Sequence, residues 1–215
     1  MRNILKGAGL VLALALSTAA AQAQSNPLVT PTGFTPAPSG GAFTMGFAFT
    51  VGANTFLNGL GAYDHLGDGF PAPMTVGLWD GAGTLLQQAT VTSADPLIGS
   101  FRYTTLSSYA LTAGTTYIVG AFRYAGSGET YATGFGPNST APGVTILGAR
   151  YSDTGSFAFP NVSVGTNGYY GANALVGAAV TAGVPEPATW LMMILGFGMI
   201  GAGLRSRRTT VAYAA

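Results

Sequence analysis

Phe43, Met45, Phe47, Phe49 and Val51 alternate with Thr44, Gly46, Ala48 and Thr50. An apolar side chain at every second position is the period of a half-buried strand, and it sets the pattern for the middle of the chain. Further strands are expected over residues 55–63, 74–79, 85–92, 101–106, 116–124, 130–135, 144–151 and 169–180. Turn signals separate them: Asp80-Gly81-Ala82-Gly83, Thr112-Ala113-Gly114, Gly126-Ser127-Gly128, Pro137-Asn138 and Asn167-Gly168. About nine short strands without an amphipathic helix between them predict an all-β fold, an antiparallel sandwich or jelly roll over residues 42–183. Residues 24–41 carry Pro27, Pro31, Pro36 and Pro38 and read as an extended leader to that domain.

The two ends of the chain obey different rules. Arg2 and Lys6 precede an apolar stretch from Gly7 to Thr18, and Ala21-Gln22-Ala23 supplies an A-x-A site with cleavage expected before Gln24. This is the layout of a secretory signal peptide over residues 1–23, which implies the Sec machinery and a signal peptidase; an uncleaved anchor would be longer. At the other end, Val184-Pro185-Glu186-Pro187-Ala188-Thr189-Trp190 opens an uncharged apolar run to Leu204, closed by Arg205, Arg207 and Arg208. Ala188 to Leu204 would span about 25 Å as a helix at 1.5 Å per residue, at the short end of what a bilayer core of about 30 Å accepts. The run has no polar face, and the arginines mark its cytoplasmic end by the positive-inside rule, with residues 209–215 as a short tail. Pro185 and Pro187 cannot sit within a helix, so the motif is expected to be an accessible linker just outside the membrane, suited to a protease. The alternatives are a plain anchor and a buried core helix, and the run is far more apolar than a core helix needs.

These residues resemble the PEP-CTERM sorting signal of Gram-negative bacteria, in its PEP-x-x-Trp-Ala subtype, with Leu191 where that subtype usually has Ala. The resemblance implies recognition of Pro185, Glu186, Pro187 and Trp190 by an exosortase, a membrane-embedded enzyme with a catalytic cysteine. It also implies an inner-membrane intermediate, delivery to the cell surface or medium, and association with extracellular polysaccharide or biofilm. The order Gly46-Phe47, Phe49-Thr50-Val51, Leu60-Gly61-Ala62-Tyr63-Asp64, Gly67-Asp68-Gly69, Val76-Gly77-Leu78-Trp79-Asp80 and Gly83-Thr84-Leu85-Leu86 is similar to a β-rich body found in many such proteins. Leu111-Thr112-Ala113-Gly114-Thr115-Thr116-Tyr117 fits the same pattern. That body brings no assigned activity.

Composition limits what the body can do. Between residues 24 and 183 three arginines face six acids, a net charge of −3, with no lysine. The basic balance of the whole chain therefore comes from its ends, and a nucleic-acid partner loses its electrostatic basis. The absence of cysteine excludes disulfides, thiolate metal sites and a cysteine nucleophile. His65 is the only histidine, no G-x-S-x-G is present, and no Gly-rich segment pairs with Lys-Ser/Thr, so no catalytic constellation is expected.

Two candidate sites remain. Asp64 and Asp68 flank a glycine-rich turn and, joined by Asp80 if the next strand end lies close, could offer carboxylate and backbone oxygens to Ca²⁺. The same aspartates also suit turns that simply bond their own backbone amides. Trp79 lies on the face opposite Met74, Val76 and Leu78, next to a turn, which makes it the best single candidate for an exposed sugar-stacking platform. Strand aromatics more often belong to a core. The expected function is a non-catalytic surface or matrix protein, with a carbohydrate-binding module, calcium-assisted or not, as the alternative.

Overall fold

The computed structural model describes residues 25–32, 35–38, 40–125, 130–133, 139–165, 169–179, 193–199 and 201. Fifteen strands occur among them: β1 (Ser25–Pro27), β2 (Val29–Thr30), β3 (Thr35–Pro38), β4 (Phe43–Val51), β5 (Thr55–Tyr63), β6 (Met74–Asp80), β7 (Leu85–Val91), β8 (Leu97–Ile98), β9 (Phe101–Leu111), β10 (Thr116–Arg123), β11 (Thr130–Thr133), β12 (Ser139–Thr140), β13 (Val144–Ser152), β14 (Val162–Val164) and β15 (Ala172–Gly177). Every pairing among them is antiparallel. The predominantly β expectation holds. Each of the nine expected strands has an observed counterpart, and the six additional ones are only two to four residues long.

Two larger sheets carry the architecture. One has the order β1-β15-β5-β9-β8, the other β14-β13-β4-β10-β6-β7. Both contribute to a single buried cluster: Phe47, Phe49 and Val119 from the six-stranded sheet meet Leu57, Leu60 and Ala174 from the five-stranded one. Burial of such side chains stabilises by about 1.5–3 kcal/mol each, which a body without disulfides depends on.

β4 is not half-buried as its alternation predicts. Thr44, Gly46 and Ala48, on its second face, are buried as well. The reason is a covering segment over residues 153–160. Thr44 Oγ1 accepts from Ala158 N at 3.1 Å and donates to Ser156 O at 3.4 Å, fastening that segment to the strand.

Residues 25–32 and 35–38 are not a leader in front of the domain; they are woven into it. Leu28 and Val29 are fully buried members of the core. The side-chain amide of Asn173 donates to Val29 O at 2.7 Å and its oxygen accepts from Val29 N at 3.3 Å, replacing a strand partner. The prolines are tolerated because β1 closes one edge of its sheet and, among the described residues, β3 pairs with β11 alone, so a missing N–H breaks no interior ladder.

The expected membrane span from Ala188 to Leu204 is described only at residues 193–199 and 201, which are helical. Among the described residues no helix is long and apolar enough to cross a membrane. Ile194, Phe197 and Met199 are exposed and take no part in the core.

Candidate functional site

The loop after β5 is organised by Asp64. Its buried carboxylate takes the Arg102 Nε at 2.5 Å and the Gly69 backbone amide at 3.1 and 3.2 Å. The same guanidinium donates to Gly67 O at 2.9 Å and Asp95 O at 3.0 Å, so one arginine from β9 closes two loops at once. Asp64 is 0% and Arg102 14% exposed, so the pair is shielded from water. Residues 65–67 form a single 3-10 turn in which Leu66 adopts φ 69°, a left-handed conformation, with its side chain 84% exposed. Tyr63 Oη lies 3.4 Å from His65 Nδ1.

Asp80 serves a different turn. Its Oδ1 accepts from Thr84 N at 2.8 Å and Ala82 N at 2.9 Å, bridging the β6–β7 connection. The backbone bond from Thr84 is the main cause that holds its carboxyl below the ordinary value. The three aspartates considered for Ca²⁺ are therefore not assembled: Asp64 is committed to Arg102, Asp68 is exposed, and Asp80 caps its own turn. Among the described residues no group of three acidic or histidine side chains is positioned to hold a metal.

Trp79 is on the outer face of its sheet, as the alternation predicts, but it is only 3% exposed. Gly46, Gly120 and Gly77 stand in register across β4, β10 and β6 and leave a trough without side chains. The indole lies against it: a Cβ on Gly77 would come within 2.7 Å of the Trp79 ring, and one on Gly120 within 3.3 Å. Phe157 at 5.1 Å and Phe159 at 6.2 Å cover it from above. An exposed platform at Trp79 is thus ruled out by the covering segment, whose distance in sequence hid it.

An aromatic cleft of about 280 Å³ occurs elsewhere, between Phe43, Met45, Tyr131, Tyr151, Val164 and Tyr169. Tyr169 stands nearly perpendicular to both neighbours, at 5.0 Å and 78° from Tyr131 and at 6.2 Å and 83° from Tyr151. Burial pushes the Tyr131 phenol above its ordinary value, Tyr169 adds to the shift, and Arg123 opposes it. The three tyrosines are spread from 131 to 169 in the sequence.

The chain ends of the body meet at a fifth place. β1 runs along β15 with Ser25 opposite Gly177. Asn58, buried in β5, donates from Nδ2 to Ser25 Oγ and to Ala178 O, each at 2.8 Å, and accepts from Ser108 Oγ at 2.7 Å. Thr55 Oγ1 adds a bond to Gly177 O at 2.9 Å. Asn58 falls at an irregularity in both its ladders, between Leu57 and Gly59, and such bulges re-aim a side chain.

Residues 28–171 match the family model described as Domain of unknown function (DUF4082). The chain belongs to this family. The match starts at Leu28, inside the segment read as a leader, in agreement with its place in the core of the DUF4082 body. Residues 183–208 match a second model, the PEP-CTERM protein-sorting motif. This motif makes the chain an exported protein, handled by exosortase-type membrane machinery through a membrane-held intermediate. No curated protein and no solved structure matches the chain. Pro185, Glu186, Pro187, Trp190, Arg205, Arg207 and Arg208 lie within the motif match but outside the described residues, as do Ala21 and Ala23 of the expected signal site.

Proposed function

We propose that the chain is a non-catalytic cell-surface or matrix protein of a Gram-negative bacterium, associated with extracellular polysaccharide. The observation that carries this reading is the sorting motif at residues 183–208, which begins five residues past Ala178, whose carbonyl is held to the β body by the Asn58 side chain. Export removes residues 1–23. The apolar run then holds the chain in the inner membrane, with Arg205, Arg207 and Arg208 on the cytoplasmic side. Pro185 and Pro187 keep the intervening backbone out of a helix and open to the enzyme, which cuts near them. Replacing Pro185-Glu186-Pro187 with alanines tests this. Tail removal and surface delivery should both be lost, and normal processing of that variant would overturn the reading.

A second reading, carbohydrate binding, is favoured by the cleft of Tyr131, Tyr151 and Tyr169. Phenol rings present apolar faces to the C–H bonds of a sugar while their hydroxyls reach its oxygens. Its volume of about 280 Å³ is at the small end for ligand sites, room for one ring of a longer polymer. The processed protein should be retained on a polysaccharide panel and released by Tyr169→Ala, with Trp79→Phe as a control that leaves the cleft intact. Equal retention of the Tyr169→Ala variant would remove the cleft from the account.

A further inference from the structure

The tyrosine cleft and the end of β15 occupy opposite poles of the body. Phe43 and Met45, at the start of β4, line the cleft; Val51, at its end, lines a groove of about 530 Å³ with Asn26, Asn54, Gly177 and Ala178. Nine residues of extended strand make eight steps of about 3.3 Å, so about 26 Å separate the two sites. β13 repeats the arrangement: Val144 stands opposite Val51 at the groove, and Tyr151 stands opposite Met45 at the cleft. The other sheet agrees. Gly177 pairs with Phe56 near the start of β5, whereas Tyr63 O at its end accepts from Arg123 Nη2 at 3.4 Å, and Arg123 is the residue in register with Phe43. The sorting motif at residues 183–208 thus follows the groove pole in the chain, and the half-buried rings of Tyr131, Tyr151 and Tyr169 lie at the far one.

We infer that the body is a bridge: while its tail is held in the membrane, its cleft of Tyr131, Tyr151 and Tyr169 takes a sugar ring of an extracellular polysaccharide, so that one copy engages bilayer and polymer together. This rests on the carbohydrate reading above, and adds that binding does not wait for tail removal. A cleft beside the end of β15 would be shadowed by the bilayer until processing released it. Here the separation is built from strand length, and β4 is laddered on both sides, to β13 and β10, so the two poles cannot close on each other. Tail removal then releases protein and bound polymer as one.

The test uses the full chain, made in cells that carry the sorting enzyme and in cells that lack it. The first yield the processed form and the second the tail-bearing form, taken as right-side-out membrane vesicles. Both are titrated with the polysaccharide those cells shed, purified and fluorescently labelled. The two Kd values should agree within about threefold, and Tyr169→Ala should weaken both by about tenfold or more. Binding by the tail-bearing form that is about tenfold weaker than by the processed form overturns the inference. A second measurement uses the absence of cysteine to place one dye at either pole, through Ala53→Cys beside the groove or Gly40→Cys beside the cleft. Both positions are exposed, and a Cβ at residue 40 meets nothing within 4 Å. In the tail-bearing vesicles a quencher on the lipid headgroups should act more strongly on the dye at residue 53, because about 26 Å lies between the poles. Equal quenching of the two dyes also overturns the inference. No retention by the processed form defeats the carbohydrate reading and the bridge with it, a result distinct from a block confined to the tail-bearing form.

Discussion

The indole of Trp79 and the ring of Phe157 stand 5.1 Å apart at 37°, although 78 residues separate them in sequence. This contact turns the outer face of the six-stranded sheet into a second, smaller packed layer. A strand whose alternation reads as one wet face and one dry face is dry on both, because a glycine trough admits a flat ring and a loop closes over it.

Trp79→Ala is accordingly a core truncation. It should lower the unfolding free energy by about 3–5 kcal/mol, measured by urea denaturation. A loss below about 1 kcal/mol would mean that the covering segment does not pack on the ring.

Arg102→Met leaves the buried Asp64 carboxylate with a backbone amide as its remaining bond donor. Breaking a buried pair by removing one partner costs about 3–5 kcal/mol, since the other charge stays uncompensated. Hydrogen exchange should quicken in residues 64–69 and 95–97, the two loops this arginine joins. An effect confined to one loop would contradict the shared anchoring.

Asp80 gives a pH signature. Its carboxyl titrates below the ordinary value of 3.8, chiefly through the Thr84 amide, so its contribution is present above the unfolded-state pKa and is lost as pH falls through the lower folded value. The melting temperature of Asp80→Asn should lie below that of the parent at neutral pH, and the gap should close in acid below about pH 4. A gap that is constant with pH would rule out the ionised carboxylate as the source.

Tyr103 buries its hydroxyl without a hydrogen-bond partner among the described residues, and burial pushes its phenol far up. An unsatisfied buried polar group is a net penalty of about 1–3 kcal/mol. Tyr103→Phe should therefore match or exceed the parent in stability, by up to about 1 kcal/mol, in the same urea titration. A clear loss would reveal a partner for the hydroxyl.

The strands were legible where burial imposes a period. From Phe43 to Val51 and from Thr55 to Tyr63 the expected and observed bounds nearly coincide. Strands of two or three residues, such as Val29–Thr30 and Leu97–Ile98, are too short to display any period. The prolines of residues 27–38 were read as breakers because sequence does not say which strands will lie on an edge. Asp64 and Asp68 looked like a pair because they are neighbours in the chain, whereas the partner that matters, Arg102, is 38 residues away. Asn58 gave no signal at all: its role comes from an irregular register that depends on three strands meeting.

Ser25 and Gly177 face each other across one strand pair, so their Cα atoms are about 5 Å apart. A short linker can bridge them, and a circular permutant opened instead at the exposed Ala113–Gly114 turn keeps every ladder described above. In topological terms the body is nearly a ring, and the sorting motif at residues 183–208 follows shortly after the seam where that ring is open.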